Sequence, residues 1–286
     1  MVLLQLVDII ADIFAQIGPQ HTPSNEFVPD KFRSKWYLSP WQHAFEFVCY
    51  MSVLVPLSIW SYHRAIQHPM WINQRSVRPA TTLDKVLGVG TGVSYVAIVY
   101  YKTLAPSMWR LPYALQPCHT LTLLLTILTV ARGKMANLLF QVYVTMTWSS
   151  VLALSFPDMS DYEHLGDCIN YFYEHVMMLL VPFVLWYTGR FDYIGSPSWI
   201  MFGFTFIALY HAAILQIVVL VTEINVATLM TPPAILKDIG IYYRPAQYMI
   251  CFILHWLYNG VISVGVSSLA TNPSSLVNAV PTPKRL

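Results

Sequence analysis

In the N-terminal stretch MVLLQLVDIIADIFAQIG, Gln5, Asp8, Asp12 and Gln16 recur at steps of three and four, with Leu, Val and Ile around the rest of the turn. This spacing predicts an amphipathic helix. Its polar face is acidic, so the expected role is packing on the rest of the protein rather than attraction to anionic lipid. Pro19, Pro23, Pro29, Pro40 and the charged run DKFRSK mark residues 18–40 as a loop. Beyond it, long apolar runs come close to the length needed to cross hydrocarbon, about 20 residues each. They predict about seven spans, at 41–62, 83–101, 112–131, 135–156, 168–187, 199–221 and 246–269. The expected organisation is an N-terminal amphipathic helix and loop (1–40), an all-α polytopic membrane helical bundle (41–272) and a short tail (273–286).

Composition agrees with the pattern. The chain is 56% hydrophobic and 10% charged, with a mean hydropathy of +0.52, which excludes an ordinary water-soluble protein. A formal net charge of +2 with no dense basic cluster argues against nucleic acid as a partner. Cys49, Cys118, Cys168 and Cys251 form no close pair, so neither a disulfide framework nor a zinc ribbon is expected. No basic residue precedes the first apolar run, and a cleaved targeting peptide is not expected. Arg64, Arg75, Arg78, Lys85, Arg132, Lys134 and Arg190 fall on the side shared with the C-terminus, which leans that side towards the cytosol.

Polar and reactive groups inside apolar spans cost free energy and by default mark function. The third span opens on Gln116-Pro117-Cys118-His119 and continues as a stripe through Thr122, Thr126 and Thr129. The fifth carries Cys168, Tyr171 and His175 on one face, and the seventh Cys251, His255, Asn259 and Ser263. At 1.5 Å per residue, Cys118, His175 and His255 lie roughly 9 to 15 Å from the side where their spans begin. His211, in the span running the other way, reaches the same layer, with Gln216, Glu223 and Asn225 stretching towards the surface.

Each of these residues also has a plainer reading. A membrane cysteine is often a small apolar filler, and that reading stands for Cys49 and Cys251. His119 and His255 are equally well read as histidines bonding a backbone carbonyl or a Tyr on a neighbouring helix, and the Thr stripe as bonding back to its own helix. Glu223 orients a histidine or pairs at the interface with Lys237 or Arg244. The pair Cys118 and His175 carries more, because a thiol in low dielectric needs a base to become a nucleophile. A thiolate attacking an ester holds the acyl group as a thioester, which a second acceptor then discharges. Two rival readings stay open. One uses Cys118, His119, His175, His211 and His255 as zinc ligands of a hydrolase; the other uses the His, Glu and Lys102 positions as a proton or solute path in a transporter.

The blocks QPCHTLTLLLTILTV (116–130), YFYEHVMMLLVPFVLW (171–186) and YHAAILQIVVLVTEINVATLMTPP (210–233), with YLSPWQHAFEF (37–47), resemble the transmembrane protein 164 family. That resemblance implies a multispan acyltransferase. Its implied reaction moves polyunsaturated chains, notably arachidonoyl, from diacyl phospholipids to ether-linked lysophospholipids without coenzyme A, a lipid remodelling linked to ferroptosis. It implies Cys118 as nucleophile and His175 as its partner, and is similar to a group of multispan fatty-acid-ester hydrolases that use threonine with histidine. The expectation is therefore a catalytic set of Cys118, His175 and His211, the last as oxyanion donor. Substrate contacts are expected from His119, Gln216, Glu223, Asn225 and His255. No metal or cofactor is expected; the partners are phospholipid and lysophospholipid, and the location an endoplasmic reticulum or Golgi membrane.

Overall fold

The computed structural model describes residues 2–17, 37–74, 77–104, 110–159, 162, 164–222 and 224–270. Most of the expected loop at 18–40, all of the tail at 273–286, and Glu223 lie outside these residues. The described chain is an all-α, multi-pass membrane bundle. Six of its helical segments are long and apolar enough to cross a bilayer, and a seventh apolar helix is shorter.

Helix α1 (Val2–Ile17) buries Val7, Ala11 and Phe14 and packs on the bundle, as its pattern predicts. Asp8 accepts a hydrogen bond from Trp41 Nε1 (3.1 Å), and Phe14 meets Phe47 edge to face. These two contacts keep the same sequence offset, which sets α1 beside the first half of α2 (Pro40–Ile66). Ser39 caps α2 and Pro40 occupies its first turn, where a missing N–H costs nothing. A one-turn helix, α3 (Pro69–Ile72), leads to α4 (Thr82–Thr103), whose start is a capping box of Thr81 and Asp84.

The expected third span divides at Gln116. A 3₁₀ turn (Leu111–Leu115) precedes α5 (Pro117–Leu128), a helix of 12 residues. It is about 18 Å long, against about 30 Å of hydrocarbon. Proline after an extended Gln116 resets the chain there. The expected fourth span also breaks, into α6 (Gly133–Thr145) and α7 (Trp148–Ser155). A broken helix in lipid must have its freed carbonyls satisfied by neighbours. Asn259 of α11 (Tyr243–Ala270) does this by donating to the Thr145 carbonyl at 2.9 Å. The sixth span joins α9 (Pro197–Leu209) to α10 (Gln216–Thr222) through a π-helical turn, Tyr210–Leu215.

Helix α8 (Leu165–Tyr187) lies against α4, α5 and α7. At its end, Gly189 takes a positive φ of 69°, and the chain turns so that Arg190 crosses under α5. The Arg190 guanidinium donates to the carbonyls of Leu128 (3.4 Å) and Ala131 (2.8 Å), at the negative end of the α5 dipole. Lys102 and Asp167, both buried, form an ion pair of 3.6 Å joining α4 to the start of α8. Apolar residues such as Val89, Val93, Val96, Leu180, Ile217 and Leu257 face outward, while the polar groups turn inward, as lipid as solvent requires.

Alternation of the spans puts Arg64, Arg78, Lys85, Arg132, Lys134 and Arg190 at one end, with Asp84 and Asp192 as the described acids there. This basic end contrasts with the other, which carries Glu46, Asp158, Asp167 and Asp238 beside Lys102, Arg110, Lys237 and Arg244.

Gly203 of α9 sits where α6 passes closest; a Cβ there would overlap the side chain of Thr145. Gly203→Ala is expected to destabilise the protein by about 1–3 kcal/mol, read as a lowered melting temperature in detergent. Adding Thr145→Ala should recover most of the loss. If the double variant is no more stable than Gly203→Ala alone, this contact does not set the α6 to α9 distance.

Candidate active site

Cys118 and His119 are the second and third residues of α5, which begins inside the bundle rather than at its surface. Opposite them is the middle of α8. Glu174 lies nine residues into that helix, about 13 Å from its start at 1.5 Å per residue. The two segments are tied by a buried carboxylate. His119 Nδ1 lies 2.9 Å from Glu174 Oε1 and 3.1 Å from Oε2, and the Thr122 hydroxyl donates to Oε1 at 2.7 Å. His119 and Glu174 are each almost fully buried. A ring nitrogen between two carboxylate oxygens carries a proton. His119 Nε2 is buried and has no hydrogen-bond partner among the described residues.

The Cys118 thiol faces this pair. Its sulfur is 3.6 Å from His119 Nδ1 and 3.9 Å from Gln116 Oε1. His175, next to Glu174 on α8, has its side chain close enough to interact with the thiol. The ring of His175 is oriented by its own helix, because Nδ1–H donates to the Tyr171 carbonyl at 2.8 Å, and Tyr171 packs against the ring face. With Nδ1 committed, Nε2 is the nitrogen left to act as base. A ring with one nitrogen held by a backbone acceptor and the other left to take a proton is the arrangement a general base requires.

The start of α5 adds a third element. Gln116 makes no side-chain cap and Pro117 has no N–H, so the N–H groups of Cys118 and His119 have no intrahelical acceptor. These donors lie at the positive end of the helix dipole, beside the sulfur. Behind the thiol, Phe140, Trp148 and Met178 are buried and Met177 half-buried, in one apolar cluster that includes Cys118.

Of the residues read from the sequence, Cys118, His119 and His175 are brought together. The others are held elsewhere by physical necessity, since a buried ring or amide nitrogen must bond something. His211, expected beside Cys118 as an oxyanion donor, has its Nδ1 bonded to Tyr248 (2.8 Å) and its Nε2 to the Ala227 carbonyl (3.1 Å). The π-helical turn sends its neighbour Tyr210 towards α5 instead, where the Tyr210 hydroxyl donates to the Leu115 carbonyl at 2.7 Å. His255 joins Trp148 Nε1 (3.1 Å) to the Ile200 carbonyl (2.8 Å), a structural bridge. Gln216 is fixed between His43 (3.0 Å) and Arg244 (2.7 Å), and the acid paired with Arg244 is Glu46 at 2.7 Å. Asn225 accepts from the Met230 N–H (2.8 Å) and shapes the loop holding Ala227 and Thr228, both at positive φ.

Glu174 is the functional candidate that sequence reasoning missed. Its signal was a carboxylate in the middle of an apolar span, one residue before a selected histidine, and on a neighbouring face. Thr122, taken there as bonding back to its own helix, does so towards the Cys118 carbonyl (3.1 Å), but it also holds the carboxylate.

A profile of the TMEM164 family matches residues 37–262. The chain belongs to the TMEM164 family. A Transmembrane protein 164 homolog from Dictyostelium discoideum is 23% identical over 234 residues, covering 79% of this chain and 84% of that protein. No solved structure matches the chain. The matched region of this TMEM164 family member contains all of α2 to α10 and hence every residue of the cluster around Cys118.

A double-mutant cycle on His119→Ala and Glu174→Ala, read by thermal unfolding in detergent, should give a coupling of about 1–3 kcal/mol. Each single change strands one buried polar partner, so each should cost more than its share of the double change. Strictly additive losses would mean that the two side chains do not depend on each other.

Proposed function

We propose that this protein is a membrane acyltransferase that moves polyunsaturated, arachidonoyl-type chains from a diacyl phospholipid to a lysophospholipid, ether-linked forms included, without coenzyme A. The single observation carrying this reading is the juxtaposition of the Cys118 thiol with the side chain of His175, whose Nδ1 is fixed by the Tyr171 carbonyl. Family membership adds the class of protein in which the pair sits.

In the proposed reaction, His175 Nε2 takes the thiol proton, and the Cys118 sulfur attacks the sn-2 ester carbonyl of the donor. The tetrahedral oxyanion is stabilised by the free N–H groups of Cys118 and His119 at the start of α5. Collapse breaks the ester C–O bond, leaves a thioester on Cys118, and returns the proton from His175 to the departing lysophospholipid oxygen. An acceptor hydroxyl then gives its proton to His175 and attacks the thioester; the thiolate leaves and is reprotonated. His119, held by Glu174 with its Nδ1 3.6 Å from the sulfur, stabilises the thiolate before it attacks the ester and again as it leaves the thioester. A thioester held within apolar helices is shielded from water, which favours transfer over hydrolysis. By the positive-inside rule the basic end, with the C-terminus, faces the cytosol, in an endoplasmic reticulum or Golgi membrane.

One observation favours a second reading, a metal-dependent lipid hydrolase. Ligand atoms of Cys118, His119 and Glu174 all lie within 4.8 Å of one another, and thiolate, imidazole and carboxylate together suit zinc. This set replaces the broader one read from sequence, because His211 and His255 have both ring nitrogens bonded elsewhere.

Incubation of the purified protein with an arachidonoyl diacyl phospholipid, followed by peptide mass spectrometry, should show an arachidonoyl thioester on Cys118. Cys118→Ala should form none, and His175→Ala should form it about 10²-fold or more slowly. Lysophospholipids that discharge the adduct identify the acceptor. Lipid product without an adduct, together with stoichiometric zinc, would overturn the thioester reading in favour of the hydrolase.

A further inference from the structure

The basic end holds a cavity unconnected with the chemistry of Cys118. It measures about 560 Å³, within the usual range for small-molecule pockets, about 300–1,000 Å³. It lies where the last turns of α2 meet the start of α9 and the middle of α11, lined by Trp60, Arg64, His68, Ser196, Ser198 and Trp256 among others. Its wall contains no carboxylate.

Several polar groups of this wall have no partner among the described residues. Trp256 Nε1 and His68 Nδ1 are buried and have no hydrogen-bond partner among the described residues. An indole N–H can only donate. Ser196 and Ser198 share one hydrogen bond of 3.1 Å, so one hydroxyl hydrogen of the pair stays available. Arg64 is exposed at its helix end and pairs with no acid among the described residues, unlike Arg78, which bonds Asp84 at 2.8 Å. The start of α9 points into the same region and adds its positive dipole end.

A cationic fork, an indole N–H, a serine hydroxyl and a helix start, with no competing carboxylate, suit one ligand chemistry: an anion bearing several acceptor oxygens. Two further features place that anion on a lipid. Trp60, in the last two turns of α2, flanks the cavity as aromatic anchors do near the headgroup level, and the cavity opens at the basic end of a membrane bundle. We propose that this cavity binds the phosphate of an anionic phospholipid, at a site separate from Cys118 and independent of the acyl-transfer reading.

The test is native mass spectrometry of the purified protein after exchange into detergent containing equal amounts of phosphatidic acid and phosphatidylcholine of the same chains. The wild type is expected to retain phosphatidic acid about fivefold or more over phosphatidylcholine. Arg64→Ala should remove most of that preference, and Trp256→Phe, which keeps the ring packing and deletes only the donor, should lower it about fivefold. Lys134→Ala, at the same end but outside this cavity, should leave it unchanged. Equal retention of the two lipids, or a preference untouched by both Arg64→Ala and Trp256→Phe, would overturn the proposal, with Arg64 then simply reaching for water. Millimolar inorganic phosphate should not displace the lipid; displacement at that level would mean that the site takes free phosphate rather than a headgroup.

Discussion

A carboxylate buried between two apolar helices must be met by donors on every side, and in this protein Glu174 meets them all from α5. His119 Nδ1 spans both of its oxygens and Thr122 takes one of them. Because the two donors are three residues apart on one helix, they fix both the depth and the rotation of α5 against α8. Cys118 then has no freedom of placement: it precedes His119 directly, and it is presented to His175, the residue after Glu174. The thiol, the His175 ring and the N–H groups at the helix start all inherit their positions from that one clamp. Arg190 secures the opposite end of the same short helix through the carbonyls of Leu128 and Ala131.

The bundle around the clamp is built by the same rule applied repeatedly. Each irregularity in a span frees backbone or side-chain groups, and each is closed by a polar residue on a neighbour. Asn259 closes the break between α6 and α7, and Gln141 holds the turn before α9 through the Asp192 carbonyl and the Ile194 N–H. Arg244 joins α11 to α2 and α10 through Glu46 and Gln216. Most intramembrane polar residues of this protein are therefore structural. Those around Cys118 differ in containing a thiol, an imidazole oriented by its own helix and N–H groups with no intrahelical acceptor.

The number and order of the spans were legible in the sequence because lipid demands long, nearly uncharged runs, and little else produces them. The breaks were less legible. Pro117 marked one, but nothing in hydropathy distinguishes a continuous helix at 135–156 from α6 and α7, or reveals the π-helical turn at Tyr210. That turn is why His211 was misplaced: a helical count puts it at the depth of Cys118, but an altered phase aims Tyr210 there instead. Depth alone also drew in His255, since residues sharing a layer need not share a direction. Cys118 and His175 were legible because their chemistry makes sense only as a pair, whereas Glu174 was not, since a lone acidic residue in a span gives no hint of which histidine it serves.

The length of α5 bears on the membrane as well as on the protein. A bundle in which one apolar helix starts partway down, with only the 3₁₀ turn Leu111–Leu115 above it, presents a shorter wall to lipid there, a notch beside its taller neighbours. Surrounding lipid has to follow that contour, and the adjacent leaflet should sag towards the notch to avoid exposing hydrocarbon to water. Sagging lowers the glycerol backbone of nearby phospholipids from the headgroup boundary towards the depth of the thiol. The short helix would thus bring the glycerol level of the bilayer nearer to Cys118 by deforming the membrane, while each lipid molecule stays within it.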